Sequence, residues 1–109
     1  MNLTLFTAPK PFTDPHIATI QRNAIQSWQH LGEGVRVILV GEETGMAETA
    51  AEFGLLHLPQ VERNSSGTPL VRSIFGLARQ HSPDALLVYL NADILLTSAF
   101  LEPVSQVAS

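Results

Sequence analysis

The chain contains no cysteine, which excludes disulfide bridges, thiolate nucleophiles and cysteine-held zinc or iron–sulfur centres together. Basic residues are scarce: six Lys and Arg against ten Asp and Glu give a formal net charge of -4. They are scattered from Lys10 to Arg79, leaving no basic stripe to follow a phosphate backbone, so nucleic acid is not an expected partner. No apolar run approaches the roughly 18 residues of a membrane span. The start, Met1-Asn2-Leu3-Thr4, lacks the basic residues and long apolar core of a secretory signal, and a cytoplasmic location is the resulting expectation. Several catalytic spacings are missing too. GxGxxG, GxxxxGK[ST] and GxSxG do not occur, and His16, His30, His57 and His81 have neither HxxxH nor HxH spacing. The dinucleotide fingerprint, the P-loop, the serine-hydrolase elbow and the histidine-held zinc site therefore have no support.

What is present fits a single domain spanning 1–109, with 45% hydrophobic and 15% charged residues. A chain of this length buries roughly two thirds of its unfolded surface, enough for one modest core. Asn2 to Thr7 is a short apolar strand that stops at Ala8-Pro9-Lys10-Pro11. Asp14-Pro15 pairs an N-cap with proline at the first helical position, and Ile17, Ile20, Ala24, Ile25, Trp28 and Leu31 follow at helical spacing. Val35 to Val40 and Ala85 to Leu90 are β-rich and almost wholly apolar, the pattern of parallel strands covered on both faces. A second helix is expected over Met46 to Phe53, closed by Gly54, and a brief strand over Leu55 to Leu58. Thr68-Pro69 repeats the cap-plus-proline signal ahead of Val71, Ile74, Phe75 and Ala78, and a weak helix interrupted by Pro103 is expected in the tail.

The alternation βαβαβαβ predicts an α/β fold: a Rossmann-like, three-layer αβα sandwich with a mainly parallel sheet. Such sheets bind ligands beyond the carboxyl ends of their strands, here Thr7 to Lys10, Gly41 to Glu43, Pro59 to Asn64 and Asn91 to Asp93. Asn91-Ala92-Asp93 is the sharpest feature, because a carboxylate just beyond a buried strand can hold a divalent ion against a diphosphate. The same residues also suit a plain turn that caps the strand end. Glu42 and Glu43 can accept hydrogen bonds from a ribose or base, or simply face solvent at the start of a helix. Asn64 and Gly67 precede a helix whose free amides favour an anion, and Arg72 in its first turns can face a phosphate. An ordinary capped loop explains Asn64 and Gly67 equally well, and an exposed helical arginine such as Arg72 is more often simply solvated.

Taken in order, Thr7-Ala8-Pro9, Gly41-Glu42-Glu43, Asn64-x-x-Gly67 before Val71-Arg72-Ser73, and Asn91-Ala92-Asp93 resemble the nucleotide-binding half of A-type glycosyltransferases. The likeness is strongest to the family-2-like inverting enzymes of the nucleotide-diphospho-sugar transferase superfamily, and it runs along nearly the whole chain. It implies a strand order of 3-2-1-4 and a UDP- or GDP-type sugar donor, with the base near Thr7, Ala8, Pro9 and Glu42 or Glu43. The family's Asp-x-Asp motif falls on Asn91-x-Asp93, with asparagine in the first position. Asp93 is then implied to bind manganese or magnesium on the donor's phosphates, and Asn91 to touch ribose or a metal-bound water. The acceptor-binding half, with its catalytic base, is expected beyond Ser109, so the chain alone is expected to be inactive. An uncovered fourth strand is expected to form a homodimer through its edge. The reading from a different class is a non-catalytic Rossmann-like module for protein interaction or self-assembly.

Overall fold

The computed structural model describes residues 2–101. Along the chain run β1 (Leu3–Thr7), α1 (Pro15–Gln29), β2 (Val35–Val40), α2 (Met46–Phe53), β3 (Leu56–Leu58), α3 (Val71–His81) and β4 (Leu86–Tyr89), followed by a 3-10 turn at Ser98–Phe100. The four strands form one all-parallel sheet in the order β3-β2-β1-β4. Leu5 lies between Val37 of β2 and Val88 of β4, and Leu39 lies opposite His57 of β3. The expected fold class and strand order are both present.

Alternate residues of each strand serve opposite faces. On one face Leu3, Leu5, Val37 and Leu39 pack against Ala24, Ile25 and Trp28 of α1 and Met46 and Ala50 of α2. On the other, Phe6, Ile38 and Val40 pack with Leu58, Val61 and the α3 residues Ile74 and Ala78. β1 and the last four residues of β2 are buried on both faces, as their uninterrupted apolar runs require. β4 differs from its expectation of double burial. It is half-buried and Tyr89 is exposed, because β4 is an edge strand with a single neighbour and α3 is the one described helix on that face.

The Asp14 carboxylate caps α1, accepting from the amides of His16 at 2.8 Å and Ile17 at 3.2 Å, an arrangement worth about 1 kcal/mol. α2 closes on Gly54 in the left-handed region at φ 68°. Thr68-Pro69 does not start α3, which begins at Val71 after an N-cap, Leu70, with no side-chain bond. The preceding loop has claimed these residues. Asn64 Oδ1 accepts from the amides of Ser66 and Thr68, Arg63 and Pro69 form an antiparallel bridge, and the Leu70 amide donates to Glu62 O. The segment Asn64 to Gly67, expected to lead directly into a helix N-terminus, is instead a self-capped loop separated from α3 by three residues. β3 starts one residue later than expected, and the tail helix through Pro103 lies outside the described residues. No described helix is long and apolar enough to cross a membrane.

Candidate functional site

The crossovers through α1 and α2 carry the chain from β1 outward to β3 on one side, and α3 returns it to β4 on the other side of β1. The gap between the carboxyl ends of β1 and β4 is the point where the strand order reverses, the place where open α/β sheets bind ligands. A cleft of about 430 Å³ lies there. Ala8, Pro9 and Lys10 form one wall, Asn91, Ala92 and Asp93 the other, and Ile17, Ile20 and Gln21 of α1 the floor. A second hollow, of about 350 Å³, sits at the opposite, amino ends of the strands. Its Arg36 is engaged with His81 O and the Ser82 hydroxyl, and Ser82 also accepts from Thr4, a structural network at the end of the sheet that such folds leave free of ligands.

Both cleft walls are fastened to α1. Gln21 is buried, and its Oε1 accepts from the Lys10 amide at 2.7 Å while its Nε2 donates to Lys10 O at 3.0 Å. One side-chain amide thus satisfies both main-chain polar groups of one residue, Lys10, and has its own oxygen and nitrogen paired as a buried glutamine must. Across the cleft, the Ile94 amide donates to Asn91 O at 3.3 Å, closing a turn in which Asp93 is the third residue. The Trp28 indole donates to Ile94 O at 2.7 Å, and the Leu96 amide donates to the Ser27 hydroxyl at 3.0 Å. Gln21 and Trp28 stand two helical turns apart on one face, so a single rigid helix sets the distance between the walls. Ala92 is buried in this turn, while Asn91 and Asp93 are exposed.

Of the residues singled out in the sequence, Ala8, Pro9, Asn91 and Asp93 line the cleft. Thr7 does not: it has no exposed surface, and its hydroxyl is buried without a hydrogen-bond partner among the described residues. Glu42, Glu43, Asn64, Gly67 and Arg72 also lie outside the cleft lining. Glu43 pairs with Arg63 at 2.9 Å, and Arg63 Nη1 reaches Gly67 O at 2.8 Å, tying the end of β2 to the loop before α3. His57 bonds Gly41 O at 2.6 Å beside them, so this region is braced by its own side chains. Arg72 is exposed and only loosely near Glu62, at 3.9 Å. Sequence pattern gives no site role to the Lys10 side chain, Gln21 or Arg63, and marks Trp28 only as part of the apolar stripe of α1. None of them belongs to a motif, and each acts on a partner distant in sequence.

Asp93 is the one carboxylate in the cleft lining, and no group of three or more His, Asp or Glu side chains assembles into a metal cage among the described residues. One carboxylate beside an amide carbonyl still suits magnesium or manganese carried on phosphates, since these ions commonly take one or two protein carboxylates and fill the remaining positions with phosphate oxygens and water. No protein-family model and no curated protein matches this sequence.

Proposed function

We propose that the chain is the nucleotide-sugar-binding part of a metal-dependent glycosyltransferase that transfers a sugar from a UDP- or GDP-type donor to an acceptor held elsewhere. The observation that carries this reading is the cleft at the β1/β4 reversal point with Asp93 on its rim. The diphosphate lies over Asn91 to Asp93, where Asp93 would hold the manganese or magnesium ion. When bound, that ion neutralises charge gathering on the leaving diphosphate, a contribution of about several kcal/mol to the transition state. Base and ribose lie along Ala8 and Pro9 against the apolar side chains of Ile17 and Ile20. Of the two acidic residues after β2, Glu43 is paired with Arg63, and Glu42, outside the cleft lining, is the one proposed to reach ribose; Thr7 is buried and lines no part of the cleft. With no second carboxylate or histidine lining the cleft, acceptor activation falls to groups outside it, and the chain alone does not turn over.

Calorimetric titration with UDP and GDP, in manganese and in a chelator, tests the reading. Binding is expected to be tighter with the metal, and Asp93→Ala is expected to abolish that gain while leaving cooperative unfolding intact, because the carboxylate is exposed at a strand end. Equal affinity with and without metal would remove the metal role. No binding of either nucleotide would overturn the reading.

One feature favours a role in association as well. Phe6 meets Phe75 and Tyr89 edge to face in an aromatic cluster in which Phe75 and Tyr89 remain 40% and 37% exposed, and neighbouring Val71 is 68% exposed. The amides of Leu86 and Leu90 point to β1, so the peptide groups of Leu87 and Tyr89 point outward from the open edge. We propose a two-fold dimer through β4, which serves either a donor-binding half or a purely self-assembling module.

A further inference from the structure

Lys10 is the one cation lining the cleft, and no carboxylate pairs with it among the described residues. Its backbone is held with unusual firmness for an exposed loop. Pro9 and Pro11 lock φ on both sides of it. Gln21 takes both its N–H and its C=O at 2.7 and 3.0 Å, and Gln21 is itself buried to do so. Burying a long amide side chain costs rotamer entropy and hydration, and in this place the result is a fixed Cα position for the residue facing Asn91 and Asp93. A loop needed only to connect β1 with α1 gains little from this, whereas an ammonium that must meet a polyanion gains a preorganised root.

We infer that Lys10 holds the diphosphate of the ligand directly, without metal, and that Gln21 is its positioning residue; this rests on the reading of the cleft as a donor site. The specificity that follows is for the diphosphate itself. Lys10 adds affinity for UDP, GDP and inorganic pyrophosphate and none for uridine or guanosine, and this part of binding persists in a chelator and weakens with salt.

The experiment is titration of the 109-residue protein and its variants with UDP, GDP, pyrophosphate and uridine, in chelator and in manganese, at two salt concentrations. Lys10→Gln is expected to weaken UDP, GDP and pyrophosphate about tenfold in both conditions, to flatten the salt dependence, and to leave uridine unchanged. Lys10→Arg is expected to recover most of the loss. Gln21→Leu is expected to weaken diphosphate binding severalfold in the wild-type background and to have no further effect in the Lys10→Gln background, a coupling that a merely structural glutamine would not produce. If the wild type binds UDP or GDP and Lys10→Gln binds it equally well, the inference is wrong and the donor-site reading stands. If the wild type binds neither, both fall together. Should Gln21→Leu fail to fold, the Lys10 variants decide alone.

Discussion

Replacing Trp28 by phenylalanine tests the clamp that holds the Asp93 turn. Trp28 has no exposed surface, and its indole N–H donates to Ile94 O at 2.7 Å. Phenylalanine keeps the six-membered ring in the core but deletes this donor and leaves the Ile94 carbonyl unpaired, a loss of about 1–3 kcal/mol. The vacated part of the indole, roughly 40 Å³, adds about 1 kcal/mol at about 24 cal/mol per Å³ of cavity. The sum, about 2–4 kcal/mol, is a large share of the roughly 5–15 kcal/mol that holds a domain of this size. The melting temperature is expected to fall by about 10–20 °C, measured by far-ultraviolet circular dichroism or calorimetry. Because the chain has one tryptophan, wild-type indole fluorescence reports this site alone and marks its loss of burial on unfolding. Below the transition, the folded variant is also expected to bind UDP or GDP more weakly, since Ile94 closes the turn that carries Asp93. A variant melting within about 2 °C of wild type would refute the clamp, because neither the bond nor the cavity would then carry the stated cost.

The opposite sign is expected at Thr7, whose buried hydroxyl has no partner among the described residues: Thr7→Val keeps the branched shape and is expected to raise stability by about 0.5–1.5 kcal/mol. A fall in the denaturant midpoint would show instead that the hydroxyl is satisfied, for example by a buried water. Sedimentation equilibrium of the wild type at high micromolar concentration is expected to give a dimer, and Tyr89→Lys, which places a charge on the open edge, a folded monomer. A monomeric wild type would remove the proposed interface.

Local chemistry made most of the fold legible. The Asp14-Pro15 cap, the Gly54 stop and the buried run from Val35 to Val40 each act within a few residues, and all are found in place. The strand order rests on analogy with the resembled family and with doubly wound sheets generally, and that order puts Asn91 to Asp93 beside Ala8 and Pro9. Thr68-Pro69 misled because its local signal competes with longer-range bonds: the Asn64 side chain and the Arg63 bridge hold those residues in a loop. The apolar run of β4 likewise matches a doubly covered strand, but its burial depends on neighbours that only the sheet order assigns. Gln21 was hidden for a related reason. It sits among apolar helix positions as one polar residue, and its use becomes visible only when the β1 exit folds back over α1.

That same helix links stability to the site. Ala24, Ile25 and Trp28 form the centre of the larger core cluster, and the flanking side chains Gln21 and Trp28 reach out of that core to the two cleft walls. A helix packed to native density cannot slide or rotate by small amounts without opening voids, so both walls inherit its rigidity. Arg22, paired with Glu52 and lying 4.9 Å from the centre of the Phe53 ring, links α1 to α2 on the outer side. The spacing between Lys10 and Asp93 is therefore set by core packing more than by the loops that carry them. Substitutions in the buried face of α1 are accordingly expected to alter ligand affinity without touching ligand, while substitutions in the self-capped loop from Asn64 to Thr68 leave the cleft unchanged.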